Sequence, residues 1–161
     1  MGVSGSGKSS VMGPLVARLG AVAAEGDEFH SEANVRKMAA GSPLTDADRA
    51  PWLRSIADWI GGREAERVDA VVSCSALRRA YRDLLRAGHE SVQFVHLTAS
   101  APELENRLAI RTGHYMPASL LPTQLGILEP LEPDEPGFEL AAAGRTPSEI
   151  ADEIARRLGP S

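Results

Sequence analysis

The chain begins with Met1-Gly2-Val3-Ser4-Gly5-Ser6-Gly7-Lys8-Ser9, and this stretch decides the fold. It fits the G-x-x-x-x-G-K-[ST] pattern, in which a glycine-rich backbone lets successive N–H groups curl around an anion. An apolar run with helical spacing follows Ser9, so the positive end of a helix would face the same oxygens. The pattern therefore predicts a phosphate-binding loop. A flexible Gly/Ser tail is the alternative that the composition leaves open.

The residue types in this loop favour a nucleoside triphosphate over a simple anion. Lys8 would reach the β- and γ-phosphates, and the Ser9 hydroxyl would bind Mg²⁺. The predicted cofactors are therefore ATP and Mg²⁺. The loop residues expected to bind the nucleotide are Gly2, Ser4, Gly5, Ser6, Gly7, Lys8, Ser9 and Ser10.

The position of the motif within the chain conflicts with its usual context. A phosphate loop of this kind leaves the carboxyl end of a buried central strand, yet only Met1 precedes Gly2. We therefore expect that the first central strand is missing and that Met1 is not the natural start. Without that strand the start of the loop would be tethered to nothing, so the chain should bind ATP weakly and melt early.

Length and composition bound the class of protein. With 161 residues, 43% of them hydrophobic, the chain is expected to form a single domain over residues 1–161. A net charge of −5 argues against nucleic-acid and anionic-membrane partners, which favour a basic face. The lone Cys74, together with the lack of a signal peptide or an apolar run of spanning length, predicts a cytoplasmic protein.

Apolar patterning predicts alternating helices and strands. β-Branched or apolar runs that are typical of buried parallel strands alternate with amphipathic segments and their capping residues. Ser31 can cap the helix predicted after it, and Thr45 with Asp48 predicts a capping box at the start of the next helix, whose apolar stripe includes Trp52. This alternation predicts a three-layer α/β fold with a parallel sheet, of five strands in its complete form and four in the given chain. The predicted strands cover residues 21–24, 70–74, 92–97 and 138–142, and the predicted helices cover 11–19, 31–40, 45–62, 77–86, 102–111, 118–128 and 146–158.

Five sequence blocks in a fixed order resemble the gluconokinase family. They are GVSGSGKS at residues 2–9, EGDEFH at 25–30, PLTDADRAPWL at 43–53, CSALRRAYRD at 74–83, and RTGHYM with TQ downstream within 111–124. The resemblance covers nearly the whole chain. It implies a P-loop kinase fold related to shikimate kinase and the nucleoside monophosphate kinases, ATP-dependent phosphorylation of D-gluconate on its terminal hydroxyl, and a homodimer.

The block at residues 25–30 holds three candidate site residues. Asp27, just past a strand beside the phosphate loop, could accept the proton of the substrate hydroxyl, or it could only cap the next helix. Glu25 could hold the water shell of the metal, although a carboxylate at a strand end is often only solvated. His30 could hydrogen-bond a sugar hydroxyl, and a structural role is the alternative.

Three arginines are candidates for gripping the substrate carboxylate. They are Arg49, Arg78 and Arg82, of which the last two lie four residues apart and are expected on one helix face. Arginine suits this task because its planar fork binds carboxylates through two hydrogen bonds.

Residues 107–128 are predicted to form a lid over ATP. Arg107 and Arg111, one helical turn apart, would neutralise charge on the transferred phosphoryl group and join Lys8 and Asp27 as catalytic residues. His114 and Gln124 match family positions and are assigned to substrate binding. Arg145 and Thr146 precede the last helix and are expected to contact the adenine base, mainly through backbone groups.

Two other functions fit the same residues. A non-catalytic nucleotide-binding protein would result if the truncated site held ATP without turnover. A P-loop kinase for another small acid, such as shikimate, would result if the arginines were spaced for a ring.

Overall fold

Parallel strands with helices packed on both faces make up the described part of the chain, residues 1–110 and 118–159 of a computed structural model. Two 3₁₀ turns also occur, at Gly26–Phe29 and Ala118–Leu120. The strands are β1 (Val22–Glu25), β2 (Ala70–Ser73), β3 (Phe94–Thr98) and β4 (Gly137–Ala141). The helices are α1 (Lys8–Leu19), α2 (Glu32–Ala39), α3 (Asp46–Glu66), α4 (Arg79–Arg86), α5 (Ala101–Ile110), α6 (Leu121–Ile127) and α7 (Pro147–Leu158).

Local capping explains where several helices begin. Thr45 and Asp48 form a reciprocal capping box at the start of α3, as the sequence predicted, and Ser31 caps α2 by accepting the amide of Asn34. Helix α1 ends at Leu19 and is followed by Gly20, whose φ of 63° lies in the left-handed region that glycine tolerates. The sequence placed these boundaries well because each one depends on residues within a single turn.

Side-chain alternation in the strands produces the layers. Successive residues of a strand face opposite sides, and accordingly Val71 packs in the cluster of α1 and α7 whereas Val72 packs in the cluster of α3 and α4. The first cluster also contains Leu97 and Leu140, and the second contains Phe94. Helices α1 and α7 therefore cover one face of the strands, and α3 and α4 cover the other, as a three-layer α/β fold requires.

The strands do not form the single four-stranded sheet that the sequence predicted. β1 pairs in parallel with β2, and β3 pairs in parallel with β4, which gives two sheets of two strands each within the described residues. The expectation that the start of the loop is tethered to nothing is also wrong. Leu97 of β3 donates its amide to the carbonyl of Met1 at 3.0 Å, and Gly2 donates its amide to Ser75, just past β2, at 3.2 Å.

The Met1-Gly2 segment thus joins the two strand pairs. The amino group of Met1 also donates to the Val95 carbonyl, so both the nitrogen and the carbonyl oxygen of Met1 are hydrogen-bonded to β3. Gly2 has a φ of 141°, and a Cβ on it would lie 2.7 Å from the Leu97 carbonyl oxygen. Only glycine allows this close approach of the loop to β3.

A buried ion pair fixes the loop that precedes β4. Arg82 of α4 is fully buried and binds the Glu135 carboxylate through Nε and Nη2, at 2.5 and 2.8 Å. It also donates to four backbone carbonyls, those of Ala76, Leu77, Glu129 and Pro130. Because Arg82 is fully buried and its hydrogen bonds are directed at the protein interior, the structure does not support its sequence-based assignment to the substrate. Its pairing with Glu135 holds the pKa of that carboxyl below its usual value.

We predict that Arg82→Met lowers the free energy of unfolding by about 3–5 kcal/mol, because it leaves the Glu135 carboxylate buried without its cation. Urea unfolding measures this loss. The matched control is Arg79→Met, three residues earlier in α4. The ion pairs of Arg79 with Asp83 and Asp134 are solvated, so removing this arginine should lower the free energy of unfolding far less. The double variant Arg82→Met/Glu135→Leu should recover much of the loss. Equal losses in the Arg82 and Arg79 variants would contradict the structural role.

Candidate active site

The phosphate loop and the first turn of α1 line an open cavity. Gly7 precedes the helix with a φ of 100°, so the turn into α1 is one that glycine adopts without strain. The residues that line the cavity are Gly5, Ser6, Gly7, Lys8, Ser9, Ser10, Val11, Arg107, Ala142, Arg145, Pro147 and Ile150. Most of the residues that the sequence assigned to the nucleotide therefore share one cavity.

Arg107 links the phosphate loop to the end of β4. Its guanidinium donates to the Gly5 carbonyl and to the Ala142 carbonyl, both at 3.3 Å. Arg145 lines the same cavity and donates to the Glu149 carbonyl. Thr146, by contrast, does not line the cavity. Its hydroxyl takes part in the capping box at the start of α7.

A second cavity adjoins the first. Its lining brings together side chains from the loop, from the segment after β1, from α3 and from α6. These residues are Ser4, Lys8, Asp27, His30, Met38, Pro43, Leu44, Arg49, Trp52, Ser75, Leu77, Leu120, Thr123 and Gln124. Asp27, His30, Arg49 and Gln124 were assigned to the substrate from the sequence, and the structure places all four here.

Lys8 lines both cavities. Its Nζ donates to the carbonyls of Gly2 and Val3, each at 2.9 Å, so the ammonium lies along the loop between the two spaces. Gln124 of α6 accepts the Ser4 amide at 2.7 Å and ties α6 to the loop at the same junction. The Lys8 side chain is therefore placed where the two cavities adjoin.

His30 lies against Trp52 in the second cavity. Their rings are stacked with centroids 4.2 Å apart, and the indole N–H of Trp52 donates to the Gly26 carbonyl at 2.6 Å. Burial lowers the pKa of His30 to about 4, and the positive charge of Arg49 acts in the same direction while Asp27 opposes it. His30 is thus neutral near pH 7, and its buried Nδ1 has no hydrogen-bond partner among the described residues.

Several assigned residues are not brought to either cavity. Glu25 accepts a hydrogen bond from the Ser73 hydroxyl at the end of β1 and lines neither cavity, so the structure does not support it as part of the metal site. Arg78 is paired with Asp46 at 3.0 Å. It precedes α4 and has an extended backbone, so it does not share a helix face with Arg82. Arg111 and His114 lie outside the described residues.

Sequence reasoning missed Trp52 and Ser75. Trp52 was assigned to the apolar stripe of α3, and it does pack in that core, but it also presents a ring to His30. A buried indole needs an acceptor for its N–H, so a tryptophan in a core stripe signals that a hydrogen-bond acceptor lies nearby. Here the acceptor is the Gly26 carbonyl. Ser75 carried no signal, because only the pairing of Gly2 with its carbonyl brings it to the loop.

Parallel strands, a phosphate loop at a helix start and an adjoining second cavity are the features of a P-loop kinase. Residues 1–131 match the family model described as AAA domain. The gluconokinase of Gluconobacter oxydans (strain 621H) is 47% identical over 158 residues, covering 98% of this chain and 88% of that protein. The chain therefore belongs to the gluconokinase family.

Solved structures agree with this assignment. A sugar kinase from Janibacter sp. HTCC2649 has a TM-score of 0.90 and 44% identity, covering 100% of this chain and 96% of that one. A gluconokinase from Sinorhizobium meliloti 1021 has a TM-score of 0.85 and 45% identity, covering 98% of this chain and 88% of that one. The P-loop kinase fold predicted from the sequence is confirmed.

We predict that His30 makes stability depend on pH. Its folded pKa of about 4 lies below the ordinary 6.5, so the unfolded chain binds the proton first and stability falls as pH drops through this window. In His30→Gln this contribution is absent. The stability difference between about pH 7.5 and about pH 5, measured by urea unfolding, should therefore be smaller in the variant than in the parent protein. An identical difference in both proteins would contradict the buried, neutral histidine.

Proposed function

We propose that this chain transfers the γ-phosphoryl group of ATP to the terminal hydroxyl of D-gluconate, which gives 6-phospho-D-gluconate. Membership of the gluconokinase family supports the choice of acceptor. The observation that carries the proposal is the position of Lys8 in the lining of both cavities. Phosphoryl transfer needs donor and acceptor to meet in line at a point of concentrated positive charge, and little covalent chemistry from the protein.

Lys8 supplies that charge. An ammonium on a flexible stem has three donors, and it can exchange the carbonyls of Gly2 and Val3 for phosphate oxygens when ATP occupies the loop. Arg107, already directed at the loop through the Gly5 carbonyl, would add a second cation on the nucleotide side. Both groups stabilise charge that grows on the phosphoryl oxygens during transfer.

Asp27 is the proposed proton acceptor. It lies in the short 3₁₀ turn at Gly26–Phe29 and, together with Lys8, lines the second cavity, which we call the acceptor cavity. A carboxylate in this place can receive the proton of the attacking hydroxyl as the new P–O bond forms. His30, being neutral, can either donate to or accept from a sugar hydroxyl in the same cavity.

The donor set fits Mg²⁺ that arrives with the nucleotide. Among residues 1–110 and 118–159 no cluster of three or more His, Cys, Asp or Glu side chains could hold a metal by itself. Mg²⁺ keeps several waters and is bound by few protein groups together with substrate phosphates. Ser9 lines the first cavity, which we call the nucleotide cavity, and its hydroxyl would be such a group. The ion would neutralise charge shared by the β- and γ-phosphates.

Three further expectations remain proposals. A homodimer is implied by the resemblance of the sequence to the family. A cytoplasmic location rests on the sequence, and within the described residues no helix combines the length and hydropathy needed to span a membrane. A single domain over 1–161 with a lid over residues 107–128 also remains a prediction.

ADP release over a panel of sugar acids and shikimate tests the proposed function. We expect release that depends on D-gluconate, with a product phosphorylated at its terminal carbon. Lys8→Ala serves as the control, since losing the cation at the junction should lower turnover by about two or more orders of magnitude. If ATP binds but no acid stimulates ADP release, the protein is a non-catalytic nucleotide-binding protein. If only shikimate stimulates ADP release, the acceptor is shikimate and not D-gluconate.

We predict that Asp27→Asn lowers kcat far more than it raises the KM for ATP. The amide keeps the shape of the side chain but cannot take the hydroxyl proton, and Asp27 does not line the nucleotide cavity. Steady-state kinetics with each substrate varied in turn separate the two effects. If only the KM for ATP increased, Asp27 would belong to the metal site.

A further inference from the structure

Arg49 is the arginine that lines the acceptor cavity within the described residues. Its recorded hydrogen bonds both use Nη1, which donates to the Leu44 carbonyl at 2.6 Å and to the Tyr81 hydroxyl at 3.3 Å. The edge formed by Nε and Nη2 has no recorded partner among the described residues. Such an edge is one of the two that grip a carboxylate through parallel hydrogen bonds.

Tyr81 is a rigid support for this guanidinium. The residue is 6% exposed and packs in the core with Trp52, Ile56 and Leu85. The Arg49 Cζ lies 5.6 Å from the centre of the Tyr81 ring, within the range of a cation–π contact. An aromatic ring fixed by core packing does not move with the flexible arginine, so it limits the positions that Arg49 can take.

Asp46 fixes the direction of the Tyr81 hydroxyl. The hydroxyl donates to one oxygen of the Asp46 carboxylate, while Arg78 binds the other oxygen at 3.0 Å. Because the phenol proton is directed at Asp46, the oxygen lone pairs remain to accept Arg49. Burial, followed by the hydrogen bond to Asp46, raises the pKa of Tyr81, which keeps the phenol protonated near neutral pH.

We propose that Tyr81, oriented by Asp46, is a positioning residue that holds Arg49 so that its Nε–Nη2 edge receives the carboxylate of the acid substrate. This inference rests on the proposed function, since it needs a carboxylated acceptor. Tyr81 acts on substrate recognition only through Arg49. It thereby contributes to the preference of the cavity for an acid, because a bidentate grip requires the guanidinium plane to be fixed.

Tyr81→Phe is the first test. It removes the hydroxyl and keeps the ring, the core packing and the cation–π contact. The KM for D-gluconate should rise about three- to tenfold, the effect of losing one hydrogen bond, with kcat and the KM for ATP almost unchanged. Ser91→Ala is the matched control, because it deletes a hydroxyl that donates to Glu64 on the surface and should leave all three constants as in the parent protein.

A double-mutant cycle with Arg49→Lys distinguishes positioning from general structural support. Lysine keeps the charge but lacks the fork, so Arg49→Lys alone should raise the KM for D-gluconate. If Tyr81 acts through Arg49, adding Tyr81→Phe to Arg49→Lys should change that KM little further. Multiplicative effects of the two substitutions would overturn the proposal. So would an unchanged KM in either single variant.

Failure of this inference and failure of the proposed function have different signatures. A parent protein without gluconate-dependent ADP release would refute the function. An active parent protein whose Tyr81→Phe variant has the same KM for D-gluconate would refute only the positioning role. Thermal unfolding of each variant, compared with the parent protein, shows whether a change in KM is accompanied by a loss of fold.

Discussion

The hydrogen bonds of Met1 and Gly2 are the constraint on which the rest of the site depends. They connect the phosphate loop to β3 through Leu97 and Val95, and to the segment after β2 through Ser75. A glycine-rich loop loses much conformational entropy when it is ordered, so it needs fixed backbone partners to keep its N–H groups directed at an anion. Because these partners belong to both strand pairs, the loop takes its position from the whole fold.

The two cavities meet at Lys8 as a consequence of this tether. The loop runs between the carboxyl ends of β2 and β3, and the segment after β1 brings Asp27 and His30 to the same edge. Parallel strands end at a common edge, where α/β folds place their ligands. In the proposed function, donor and acceptor would meet beside this cation, whose charge would stabilise the transferred phosphoryl group.

The arginines show how charge is divided between structure and recognition. Arg82 is held by Glu135 and four carbonyls and Arg78 pairs with Asp46, whereas Arg49 lines the acceptor cavity. Spacing in the sequence could not separate these roles, since Arg78 and Arg82 looked like neighbours on one helix face. Arg78 precedes the first turn of α4, and the loop that carries Glu135 lies far along the chain. Their partners become visible only when distant segments pack together.

By itself, the sequence determined the features that depend on local chemistry. The phosphate loop, the capping residues Ser31 and Thr45, and the alternation of helix and strand all follow from residues within a turn or a strand, where backbone sterics and hydrogen bonds act. Tertiary structure decided the strand pairing, the bonds that tether Met1, and which of the two arginines, Arg49 and not Arg82, lines the acceptor cavity. These features depend on contacts between segments far apart in the chain, whose geometry is set by packing of the whole core and leaves no local pattern.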